Sequence, residues 1–110
     1  MQCNWYQKQV VYVDPDFMDL IPSFLESRQK EIDIIRECIA RSDMKEAHRL
    51  GHGMKGAGAG YGFPEISRIG KIIEEASKTG NTREIENALD LLGEYLSVIE
   101  VVPGVGELED

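Results

Sequence analysis

Residues 48–62 read HRLGHGMKGAGAGYG, and the reading of this stretch decides the fold. It holds both histidines of the chain and six of its eleven glycines. At about 100° per residue, Ala47, Leu50, Gly51, Met54, Gly58 and Tyr61 fall on one side of a helix, which predicts a core-facing stripe. His52 lies roughly 150° from the middle of that stripe, and its neighbours one turn away are His48, Arg49, Lys55 and Gly56. One imidazole is thus expected on the open face of a helix, beside a cation.

Each glycine inside a helix costs roughly 1 kcal/mol relative to alanine. Tolerating so many in this stretch implies that something approaches the backbone closely. A neighbouring helix accounts for Gly51 and Gly58, which face inward. It does not account for Gly56, which points outward one turn beyond His52. A larger side chain there would stand between the ring and a docking surface.

These residues carry a family resemblance. His52-Gly53-Met54-Lys55-Gly56, then Gly62, follows H-x-x-K-G-x-x-x-x-x-G and resembles the signature of histidine-containing phosphotransfer (HPt) domains. Tyr12 to Leu25, YVDPDFMDLIPSFL, resembles the lead-in to that family's first long helix, and Ile66 to Ala76 resembles the helix after its site. The resemblance implies that His52 is the phosphoacceptor, with Lys55 lending charge support. It implies a docking face of His48, Arg49, Gly56 and Ala59, with Arg68 and Lys71 of the following helix at its rim. The implied partners are response-regulator receiver domains and a hybrid sensor histidine kinase. No intrinsic cofactor or nucleotide is implied; Mg²⁺ is expected on the receiver. The implied role is a phosphocarrier without turnover of its own, taking a phosphoryl group from one receiver aspartate to another. Polar residues are common in the family just after the Lys-Gly, where this chain has Ala57-Gly58-Ala59-Gly60, so that segment offers the ring no side-chain hydrogen bond.

The chemistry suits such a role. A free imidazole, with a reference pKa of about 6.5, is largely neutral at pH 7 and can attack phosphorus through Nε2. Other readings of the stretch fail on context. Gly51 to Gly56 also matches G-x-G-x-x-G, but the dinucleotide fingerprint needs a strand before it, whereas DMKEAHRL (residues 43–50) is capped and helical. There is no Gly-Lys-Ser/Thr ending for a phosphate loop. His48 and His52 stand four residues apart as in some zinc sites, yet no third ligand is evident and Arg49 opposes a divalent ion. The carboxylates are expected on solvated helix faces, so no acid/base cleft is inferred. A non-phosphorylated adaptor that docks on a receiver or kinase is the alternative function.

At 110 residues, 42% hydrophobic and 29% charged, the chain is expected to be one globular domain with a single core. No apolar run approaches the ~20 residues that span a bilayer, and no signal-peptide pattern opens it. A monomer in the reducing cytoplasm is expected, with Cys3 in a tail and Cys38 a part-buried apolar residue. A net charge of −8 disfavours nucleic acid and anionic membranes. Between Asp43 and Lys71, however, five basic residues outnumber three acidic ones, a locally positive island suited to an acidic partner.

Along the chain, residues 1–13 are expected to be an extended tail, VVYV being β-like without a partner strand. Trp5, Tyr6 or Tyr12 could pack it on the bundle. Asp14-Pro15-Asp16 starts a short helix, and Pro22 marks the first turn of a long one. Its stripe runs through Phe17, Ile21, Phe24, Leu25, Ile32, Ile35 and Ile39, with Arg28 snorkelling at its edge. Ser42 or Asp43 caps the site helix, Gly62 stops it and Pro64 opens the next. Ile66, Ile69, Gly70, Ile73, Ala76 and Ser77 share a face there. Asn81 to Glu84 caps a last helix whose stripe extends to about Val101. The fold class is all-α, an antiparallel up-down four-helix bundle over residues 14–102 with a short N-terminal helix or extended arm packed on it. Residues 103–110 form a flexible acidic tail.

Overall fold

The structure, a computed structural model, describes residues 8–104. A strand β1 (Gln9–Val13) and a 3-10 turn (Pro15–Leu20) lead into four helices: α1 (Ile21–Ala40), α2 (Met44–Tyr61), α3 (Pro64–Lys78) and α4 (Thr82–Val98). A second strand, β2 (Ile99–Pro103), follows α4 without a loop. The all-α bundle is as expected.

The helix boundaries follow local chemistry. Asp14 Oδ1 accepts the Asp16 amide at 2.9 Å and opens the 3-10 turn. Asp43 caps α2 by accepting the Glu46 amide at 3.1 Å, and Asn81 caps α4 by accepting that of Glu84 at 3.1 Å. Gly62 ends α2 in the left-handed conformation, φ 87°, which a residue with a Cβ adopts only at a cost. Pro64 then begins α3, where a missing amide costs nothing.

Two expectations change at the ends. β1 does have a partner: it pairs in parallel with β2, in the register Gln9 with Ile99 through Val13 with Pro103. The stripe expected to continue α4 to about Val101 leaves the helix at Val98 because Ile99 is extended, ψ 148°. The run VIEVV is rich in β-branched residues, which favour a pleated strand once an edge is available. The Gly104 amide donates to Val13 O at 2.9 Å and closes the ribbon. Val13 is buried, whereas Tyr12 is half exposed and does not anchor the arm. Trp5 and Tyr6, the other proposed anchors, lie outside the described residues, as do Cys3 and the acidic tail from residue 105.

The core combines Ile21, Phe24, Ile32, Ile35 and Cys38 of α1 with Ile66, Ile69 and Ile73 of α3 and Ile85, Leu89, Leu92 and Tyr95 of α4. Phe24 stacks on Phe63 at 5.0 Å and on Tyr61 at 4.7 Å between ring centroids. Cys38 is wholly buried, not part-buried, and burial pushes its thiol pKa up. Arg28 lies 4.8 Å over the Phe24 ring and is held by Glu31 through hydrogen bonds of 2.9 and 3.1 Å.

The closest packing in the bundle is between α2 and α3. A Cβ on Gly51 would stand 2.8 Å from the Glu74 amide nitrogen, one on Gly58 2.5 Å from that of Ser67, and one on Gly70 2.5 Å from that of Lys55. Bare backbone thus meets bare backbone at three levels. Ser67 Oγ ties the two helices further by donating to Lys55 O at 2.8 Å. This contact brings α3 side chains to the open face of α2.

Candidate functional site

His52 stands on that open face with its side chain 65% exposed. Its Nδ1 lies 2.9 Å from Oε2 of Glu74, a residue of α3 whose side chain is only 9% exposed. Lys55 Nζ sits 2.9 Å from the other oxygen, Oε1. This is an ion pair off the hydrogen-bond axis, and among the described residues Oε1 accepts no well-aligned hydrogen bond. His48, one turn before His52, places Nε2 3.8 Å from Oε2. A single carboxylate therefore gathers three basic side chains from one face of α2.

The electrostatics follow from the distances. The Lys55 ammonium, and after it the His52 ring, hold the Glu74 carboxyl down at about 2 against a usual 4.5, although burial pulls it the other way. Glu74 is thus ionised at neutral pH and can only accept. The His52 proton must then reside on Nδ1, leaving the Nε2 lone pair bare and directed away from the carboxylate. Because the folded pKa lies below the ordinary one, Glu74 adds stability above pH ~4.5 and loses it as pH falls toward ~2. Acid unfolding followed by circular dichroism should show a loss in that window. Glu74→Gln should be less stable than wild type at pH 7 and should lack this component of the acid loss.

Glu74 was missed by the sequence reading, which put every carboxylate on a solvated face. A signal existed. Glu74 borders the α3 stripe four residues after Gly70, and Gly51 on α2 leaves room for its backbone immediately before His52 in sequence. An acidic residue at a stripe's edge above a glycine contact is a candidate for burial against the partner helix.

The other sequence-predicted residues divide into two groups. Gly56 and Ala59 are exposed beside the ring, and a Cβ on Gly56 would meet nothing within 4 Å. Gly53 and Gly60 are equally open, which extends the cleared strip along α2. Arg49 is exposed but hydrogen-bonded through Nε to Glu46 at 2.9 Å, and this contact holds the Glu46 carboxyl below its usual range. Arg68 is likewise paired with Glu65 at 2.8 Å. Lys71 is exposed and makes no ion pair among the described residues. Of the five basic residues in the positive island expected from the sequence, Arg49 and Arg68 are thus paired with acids of the same segment and Lys55 with Glu74, which leaves Lys45 and Lys71 without an ion pair among the described residues. Among the described residues no group of three or more His, Cys, Asp or Glu side chains could hold a metal ion. None of their helices is long and apolar enough to cross a membrane.

The profile of the Hpt domain family matches residues 19–101. The chain belongs to that family, whose members are phosphocarriers in two-component signalling. No curated protein and no solved structure matches it. The matched span contains all four helices and the His52–Glu74–Lys55 cluster; β1 lies before it.

Proposed function

We propose that His52 Nε2 accepts a phosphoryl group from the phosphoaspartate of a response-regulator receiver domain and passes it to another receiver aspartate. The observation that carries this reading is the Nδ1–Glu74 contact of 2.9 Å on a ring whose other nitrogen is open to solvent. A buried, ionised acceptor on one nitrogen selects the tautomer that leaves a lone pair on the other.

The step balances without proton transfer. Nε2 attacks phosphorus, the Nε2–P bond forms, and the P–O bond to the partner's aspartate breaks with departure of a carboxylate. The ring keeps its Nδ1 proton and gains positive character, which Glu74 offsets at 2.9 Å. Return of the group to a second aspartate reverses each change. Mg²⁺ on the receiver would neutralise phosphoryl charge. Lys55 supports that charge from this side, and Gly56 with Ala59 leaves the approach clear. A single copy contains the nucleophile, its orienting carboxylate and this face, so a monomer suffices, and a hybrid sensor kinase with its own receiver could supply the group.

Incubation with a phosphorylated receiver tests the reading. An acid-labile, base-stable label on His52 is expected. Stable binding without label would leave an adaptor role in its place. Gly56→Trp is expected to slow transfer by about tenfold or more, since proximity governs such steps, while the melting temperature stays near that of the wild type. Unchanged transfer in that variant would remove the clearance argument.

A further inference from the structure

We infer that His48 is a positioning residue for the transfer: when protonated it competes with His52 for the same Glu74 oxygen and switches the nucleophile down. The inference rests on the carrier reading above. The geometry carries it. Oε2 accepts the hydrogen bond from His52 Nδ1–H at 2.9 Å, and His48 Nε2 waits 3.8 Å from that oxygen. The His48 side chain is 38% exposed, so protons reach it from solvent.

A neutral His48 at this distance makes no hydrogen bond, and the oxygen serves His52 alone. A protonated His48 is a donor at both ring nitrogens, and a small rotation would bring Nε2–H onto the carboxylate as a charge-assisted bond. Two consequences follow, both slowing attack. The hold on the His52 Nδ1 proton weakens, so the ring is released toward the tautomer that carries its proton on the attacking nitrogen. The negative charge that offsets the phosphorylated ring is also partly cancelled. The remaining charges nearby do not substitute for His48. Lys55 is on the other oxygen, Oε1, while Glu46 and Arg49 pair with each other along α2. Lys45 is exposed on α2, and Lys71, Glu75 and Lys78 are exposed on α3. Among the described residues no ion pair joins α1 or α4 to His48 or Glu74.

The test uses phosphoramidate, a small donor that phosphorylates histidine without a partner protein. Initial rates of His52 labelling are compared from about pH 8 to about pH 5, the span over which free imidazoles ionise. Wild type, His48→Gln, Glu74→Gln and the double variant are measured, with His48→Asn as a second neutral replacement. In the wild type the acid limb should be steeper than first power in proton concentration, because protonation of His48 adds its slowing to the loss of the His52 lone pair. In His48→Gln it should fall with the first power. The ratio of variant to wild-type rate therefore grows by up to about tenfold per pH unit. In the Glu74→Gln background, His48→Gln should change nothing. First-power limbs in both wild type and His48→Gln would overturn the inference and leave the carrier reading standing. Absence of label on His52 in the wild type at every pH would overturn both.

Discussion

A chain carrying His52→Gln is expected to take up no phosphoryl group, and one carrying Glu74→Leu to take it up about 100-fold more slowly than the wild type. The first loss is complete because glutamine offers an amide in place of a nucleophilic ring nitrogen. The second comes from orientation and charge. Leucine fills the volume of Glu74 but cannot accept the Nδ1 proton, so the ring turns freely and both tautomers are populated. It also removes the anion beside a ring that becomes positive on phosphorylation. Glu74→Gln separates the two contributions, since its amide oxygen can still accept from Nδ1 while bringing no charge; a loss of about tenfold is expected, in the range seen when a residue that orients a ligand is changed. Single-turnover rates with one phosphorylated receiver, alongside circular dichroism, supply the comparison. Labelling of Glu74→Leu at the wild-type rate would show that Nδ1 needs no anchor.

The parts of this molecule set by local periodicity were readable from sequence, and the parts set by contact between distant segments were not. Asp43, Gly62, Pro64 and Asn81 act within one turn of where they stand, and each behaves as its chemistry dictates. The outward direction of His52 and Gly56 follows from 100° per residue alone. Glu74 is different. Its burial depends on how far α3 descends onto α2, a quantity set jointly by Gly51, Gly58 and Gly70 from two helices. The β1–β2 pairing has the same character, because either strand alone is a five-residue segment rich in valine whose partner lies 90 residues away in sequence, Gln9 against Ile99. Arg49 and Arg68 were placed correctly on the surface, yet each spends its charge on a carboxylate three residues before it. Counting charges cannot anticipate that choice of rotamer.

Gly70→Ala is expected to destabilise the bundle by about 2–3 kcal/mol, a drop in melting temperature of roughly 10–20 °C for a domain of this size. Alanine is the better helix former by roughly 1 kcal/mol, so propensity predicts the opposite sign. The close approach decides it. The new methyl would stand 2.5 Å from the Lys55 amide nitrogen, 2.9 Å from Gly51 O and 3.0 Å from Lys55 Cα. All three are backbone atoms of α2, and no side-chain rotation relieves them. The helices must part at the level where Lys55 and His52 meet Glu74, so labelling of His52 should slow in parallel with the loss of stability. Gly53→Ala and Gly60→Ala are the matched controls. A Cβ at either position meets nothing within 4 Å, and each should stabilise by up to about 1 kcal/mol. Thermal melts of the three variants make the comparison, and a Gly70→Ala protein as stable as Gly53→Ala would mean that α2 and α3 do not touch through their backbones.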